Sequence, residues 1–161
     1  LTGWAASFSL KWPNDVLLRG RKIAGILLES KKNKFGQDVL FIGIGVNLLK
    51  APDITDLEEC ATAPVALFAE TGLKISPERF LEMLMPSYAR FETLFQTGGF
   101  ATIRQKWTER ASHLGEQITA RLPDREISGL FDAIDEKGHL VIITAHGTQS
   151  IAAAEVYFGG V

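Results

Sequence analysis

The chain has 161 residues, 46% of them hydrophobic and 22% charged, with a formal net charge of −2. That balance supports a buried core and excludes any global attraction to nucleic acid or to an anionic membrane surface. The apolar run 39–49 is too short to span a bilayer, nothing around Trp4 reads as a signal peptide, and the single Cys60 allows no internal disulfide. These features together fit a reducing, cytoplasmic setting. The acidic neighbours Glu58 and Glu59 would not lower a thiol pKa, so Cys60 reads as a packed cysteine rather than a nucleophile.

Residues 8–12 alternate, with Phe8, Leu10 and Trp12 on one face, and Pro13 stops regular pairing because it lacks an N–H. Two apolar runs, 16–18 and 22–29, flank Arg19-Gly20-Arg21 and predict a β-hairpin. The polar, basic segment 30–37 is a second turn, read as solvated rather than as a docking patch. Residues 38–48 return as a further strand, so the first fifty residues predict an antiparallel meander. One face of this strand carries Leu40, Ile42, Ile44 and Val46, a core stripe. The other carries Val39, Phe41, Gly43, Gly45 and Asn47, where glycine leaves room for a ligand or another backbone.

Past Cys60 the period becomes helical. Residues 63–73 predict one helix, stopped near Gly72. Ser76-Pro77-Glu78 starts a second, with serine as N-cap and proline at N1. Phe80, Leu81, Leu84, Tyr88, Phe91 and Phe95 then form a stripe expected to pack against a sheet, with a kink expected at Pro86. A third helix is expected over 100–111. After His113 short strands return over 117–122, 126–134, 140–144 and 149–153, separated by turns at 123–125, 135–138 and 145–147. Such spacing predicts a small barrel that docks on the first domain. The boundary is expected between 112 and 113, giving domains 1–112 and 113–161.

The chemistry concentrates in Lys11-Trp12-Pro13-Asn14-Asp15 and in Lys22, which opens the return strand of the hairpin. Taken alone, the first motif is equally an Asx-type turn after an edge strand. Two lysines on paired strands with an adjacent aspartate form a cation-rich site holding one acid. That is the electrostatic need of adenylation. Simple alternation puts Lys22 on the face opposite Gly25 and Leu27, so either a bulge or a curled side chain must re-aim it. Gly43-Ile44-Gly45 lacks the third glycine and the following helix of a dinucleotide fingerprint. His113, His139 and His146 have no ligand-like spacing, and His139 and Glu155 read as barrel rim.

Three segments in this order, Lys11-Trp12-Pro13-Asn14-Asp15, Arg21-Lys22-Ile23-Ala24-Gly25-Ile26-Leu27 and Gly43-Ile44-Gly45-Val46-Asn47, resemble the signature of biotin–protein ligases. The resemblance continues through the helical middle to about Phe158. It implies an α+β fold: a partial, mixed or antiparallel sheet packed by helices, as in class II synthetase-like ligase domains, then a small SH3-like β-barrel. It also implies ATP, Mg²⁺ and biotin as ligands, and the biotin carboxyl carrier domain of a carboxylase as acceptor. By the same resemblance Lys22 would contact the biotin carboxyl and α-phosphate, Lys11 the phosphates, and Asp15 the incoming lysine. Asn14 would support that turn, Gly25 and Leu27 would line the biotin pocket, and Asn47 would reach the phosphates or their Mg²⁺ beside Gly43 and Gly45.

The family's glycine/arginine-rich loop and biotin-binding strand lie upstream of the lysine-tryptophan-proline motif, and only ten residues precede Lys11 here. Arg19-Gly20-Arg21 copies that loop only superficially, and Gly159 stands near the place of a terminal arginine found in some members. The expectation is a ligase segment that needs its amino-terminal half as a partner, is not active alone, and exposes apolar sheet surface able to self-associate as a homodimer. A non-catalytic relic, or a lipoate or octanoyl ligase of the related fold, are the other readings.

Overall fold

The computed structural model describes residues 7–53 and 62–158; Trp4, Cys60 and Gly159 lie outside them. Strands β1 (Phe8–Lys11), β2 (Asp15–Leu18), β3 (Arg21–Lys32) and β4 (Asp38–Val46) form an antiparallel sheet in the order β1-β2-β3-β4, the expected meander. Leu18 pairs with Arg21 across a two-residue turn in which Arg19 and Gly20 both have positive φ, 50° and 75°. That geometry follows the twist of the flanking strands.

The register between β2 and β3 shifts at one point. Asp15 faces Gly25 and Val16 faces Ala24, but Leu17 faces Lys22, so Ile23 is an extra residue. This bulge resolves the problem of Lys22: one inserted residue reverses the parity and puts Lys22 on the Gly25 face. A Cβ placed on Gly25 would lie 3.5 Å from Lys22 Nζ.

Helix α1 (Leu67–Thr71) is shorter than the expected 63–73. The reason is that the preceding residues are taken by the sheet: Lys22 N–H donates to the Ala63 carbonyl and Val65 N–H to the Lys22 carbonyl. Helix α2 (Pro77–Thr108) begins as expected, with Ser76 Oγ accepting from Arg79 N–H at 3.3 Å. It runs through Pro86, and the backbone leaves helical angles at Gly99 (φ 65°, ψ −174°). The two helices expected around Gly98-Gly99 therefore meet end to end.

A second sheet holds β5 (Gln117–Arg121), β6 (Glu126–Ile134), β7 (Leu140–Thr144), β8 (Gly147–Ile151) and β9 (Glu155–Phe158) in the order β8-β7-β6-β5-β9. The sequence reading missed β9 as a separate strand. Its core is closed around Phe131, Leu140, Ile142 and Ala120, none more than 1% exposed. Trp12 joins this core, although alternation had placed it with Phe8 and Leu10. Lying one residue past β1, it is free of the strand's parity. Main-chain bonds from Leu10 N–H to the Arg110 carbonyl and from Ser112 N–H to the Leu10 carbonyl, each 2.8 Å, bind β1 to the connection before the barrel.

The first sheet is less covered. Leu17 and Leu18 are buried with Ile23, Val65 and Leu67 nearby, but the expected core stripe is not: Leu40, Ile42 and Ile44 are exposed. The apolar stripe of α2 is likewise open, and the helix buries no residue. The expected packing is thus only begun. Ile42, Ile44 and Val46 face Phe80, Leu81, Leu84 and Tyr88 across an apolar groove of about 520 Å³. Burying those stripes takes more apolar surface than the described residues supply.

Candidate active site

A cavity of about 830 Å³ lies between the first sheet and the barrel. Its walls include Lys11, Asn14, Asp15, Lys22, Gly25, Gly45 and Asn47, seven of the nine residues that the sequence singled out. Gly43 and Leu27 pair with each other further along the same sheet and do not line the cavity. Thr62, Pro64 and the β9 residues Glu155 and Tyr157 also contribute; of these only Glu155 stood out in the residues, as barrel rim, and the alternation of Glu155-Val156-Tyr157-Phe158 is the signal that could have found the strand.

Each polar side chain has a defined seat. The bulge brings Lys22 Nζ to 2.7 Å from Asp15 Oδ1 on the neighbouring strand. Asn14 straps the turn to β3: its Nδ2 donates to the Ile26 carbonyl at 2.7 Å, and its own carbonyl accepts from Ile26 N–H at 2.9 Å. Asn47 follows β4, where its backbone N–H donates to Ile23 and its Nδ2 to the Lys22 carbonyl at 3.4 Å. Between them the floor is glycine. A Cβ on Gly45 would meet nothing nearer than the Gly25 carbonyl at 3.9 Å, so the space above it is open.

Lys11 is the buried cation, 8% exposed, with Nζ donating to Thr62 Oγ1 at 2.8 Å. Burial lowers its pKa, Asp15 opposes that, Lys22 adds to it, and Glu155 opposes it. Among the described residues no carboxylate lies within ion-pair distance of Lys11, and no group of three or more His, Cys, Asp or Glu side chains could hold a metal ion. A cavity with two lysines, a glycine floor and two carboxylates already partnered, Asp15 by Lys22 and Glu155 by the Tyr157 hydroxyl, can seat an anionic ligand against the backbone.

Comparisons with known proteins give the family. Residues 4–47 match a family model described as the biotin/lipoate A/B protein ligase family, which places the chain among the protein ligases of that group. Residues 113–159 match a second model, the biotin protein ligase C terminal domain. The chain belongs to the biotin protein ligase family. It is 49% identical over 158 residues to a biotin–[acetyl-CoA-carboxylase] ligase of Paracoccus denitrificans, covering 98% of this chain and 66% of that protein. A bifunctional ligase/repressor of Bacillus subtilis is 30% identical over 93% of this chain and 46% of its own length. Among solved structures, the apo biotin protein ligase of Aquifex aeolicus superposes with a TM-score of 0.77 at 27% identity, over 94% of this chain and 66% of that one. The same enzyme in complex with biotin and ATP gives 0.75 at 26% identity, over 94% and 62%. The chain thus spans between about half and two thirds of the relatives it matches.

Proposed function

We propose that this chain carries the phosphate and carboxylate end of a biotin–protein ligase site. The observation that supports it best is the Lys22–Asp15 pair, aimed by a bulge over a floor of Gly25 and Gly45, with Lys11 beside it. The Paracoccus denitrificans relative is named for joining biotin to acetyl-CoA carboxylase, and one solved relative holds biotin and ATP.

In this reading a carboxylate oxygen of biotin attacks the α-phosphorus of ATP, and the bond to pyrophosphate breaks. Lys22 stabilises the charge that gathers on the carboxylate and α-phosphate oxygens, and Lys11 holds the departing phosphates. A lysine amine of a biotin carrier domain then attacks the acyl carbon, loses a proton and expels AMP. Asp15 orients that amine, and Asn14 keeps the turn carrying Asp15 on β3. Gly25, with Leu27 and Gly43 further along the face, leaves backbone for biotin to lie on.

The donor set does not fit a resident Mg²⁺: of the two cavity carboxylates Asp15 is tied to Lys22 and Glu155 accepts from the Tyr157 hydroxyl, and no group of three or more acidic or other metal-ligating side chains is found among the described residues. Mg²⁺ enters with the nucleotide, and Asn47 offers it or the phosphates a neutral amide. The acceptor is the biotin carboxyl carrier domain of a carboxylase. The remaining part of a complete ligase fits the apolar groove along β4 and α2, and a homodimer would compete for the same surface. The lone Cys60 fits a cytoplasmic enzyme.

The test is calorimetry of Mg·ATP with the 161-residue chain. Lys22→Ala should weaken binding roughly ten- to hundredfold, the range of a lost charge-assisted hydrogen bond. Equal affinity in the variant would remove Lys22 from the phosphate site.

A further inference from the structure

Lys11 is held in a way that differs from Lys22. The Lys22 ammonium sits on a carboxylate, whereas Lys11 Nζ contacts the neutral Thr62 hydroxyl and lies 5.3 Å from the centre of the Phe158 ring. That distance is within the range at which the negative face of an aromatic ring attracts a cation. Phe158 is the last residue of β9, and it pairs with Ile118 of β5, so the barrel sheet sets its position. His113 stacks on the ring at 3.6 Å between centroids and 9° between planes. Ser112 Oγ lies 2.7 Å from His113 Nδ1, and Ser112 N–H donates to the carbonyl of Leu10, the residue before Lys11. The contacts therefore form a closed circuit: Lys11 to Phe158, to His113, to Ser112, and back to β1.

We infer that Phe158 is a positioning residue for Lys11, holding its ammonium at the phosphate end of the cavity on a ring face instead of a carboxylate. The inference rests on the phosphate-site reading above. Its physical sense is a matter of competition. A carboxylate partner would neutralise the lysine and contend with an incoming phosphate for its N–H groups. A ring face offers no lone pair, so it fixes the direction of the side chain and leaves the hydrogen-bonding capacity for the ligand. It also prepays the rotamer entropy of a long side chain, which a free lysine would lose on binding. The charged groups around Lys11 are Asp15, Lys22 and Glu155.

The experiment uses the 161-residue chain with pyrophosphate as the probe and lysine methylenes labelled for NMR. Phe158→Leu removes the ring, and Phe158→Tyr keeps it. With the ring in place, its current shifts the Lys11 ε-methylene signal upfield; the leucine variant should lose that shift and bind pyrophosphate roughly three- to tenfold more weakly. The tyrosine variant should restore both, which a general loosening of the barrel would not. Wild-type affinity in the leucine variant, or failure of tyrosine to rescue it, would overturn the assignment. If the wild-type chain binds no pyrophosphate, the phosphate-site reading fails. The methylene shift then decides the ring contact alone, and an unshifted signal in the wild type overturns that too.

Discussion

The two sheets of this molecule are built from similar amounts of apolar residue and spend it differently. The barrel turns its large side chains inward, so Phe131, Leu140 and Ile142 are sealed. The first sheet and α2 line up Leu40, Ile42, Ile44, Leu81 and Phe95 and leave them at least 40% exposed. Yet the catalytic candidates all belong to the open sheet or to its Lys11–Asp15 edge. The lesson is that the barrel is held by packing, while the first sheet is held by its ladder and by the neighbours it leans on.

The sharpest way to break that contrast is to remove one ring from each region. Phe131→Ala should cost about 3–5 kcal/mol in urea unfolding. Phe95→Ala, on the open helix face, should cost less than about 0.5 kcal/mol. Similar losses would mean that the α2 stripe is covered in solution. The glycines give a smaller version of the same test. A Cβ on Gly129 would stand 2.4 Å from the Ile143 carbonyl, so Gly129→Ala must push backbone and should cost about 1–3 kcal/mol by thermal melting. At Gly43 a Cβ meets the Leu27 carbonyl at an ordinary 3.7 Å, and Gly43→Ala should be neutral or slightly stabilising.

Gly45→Val separates folding from binding. The cavity above Gly45 is open, so the variant should fold as the wild type and gain strand propensity while losing Mg·ATP affinity in calorimetry. Unchanged affinity would refute the cleared face. The smallest effect is in acid. At the barrel's 135–138 turn, burial works to raise the Asp135 carboxyl, but hydrogen bonds from His139 N–H, Ser150 and Lys137 N–H, with the charge of His139, bring it from 3.8 to about 2. A folded-state pKa below the unfolded one gives stability that is present above the unfolded value and lost as pH falls through the folded one. The barrel should therefore weaken between about pH 4 and pH 2 when followed by circular dichroism, and Asp135→Asn should flatten that slope.

Much of this was legible in the residues. Alternation and the Arg19-Gly20-Arg21 turn located the hairpins, and Ser76-Pro77 located the start of α2. The signature residues located the cavity, because a motif that needs a lysine, an aspartate and glycines together leaves few arrangements. What was hidden follows from tertiary context. A bulge adds one residue without changing composition, so Ile23 gave no sign that Lys22 would change face. The stripes of β4 and α2 announced burial, and periodicity cannot say whether the surface to cover them is present. Trp12 could not be placed because its partners lie more than a hundred residues away, among them the Gly138 carbonyl that accepts its indole N–H at 3.0 Å.

That indole has a further consequence for how the molecule comes apart. Trp12 sits in the signature motif but is 6% exposed within the hydrophobic core of the barrel. One side chain thus belongs to the candidate-site edge and to the barrel core. A shared core couples the two melting equilibria, so heat should unfold the barrel and the motif loop in one transition rather than two. Indole fluorescence and far-ultraviolet dichroism should then trace the same curve. A chain cut between 112 and 113 would strip the cover from Trp12 and slacken Lys11 and Asp15 on either side of it, making the barrel a fastening for the site and not an appendage.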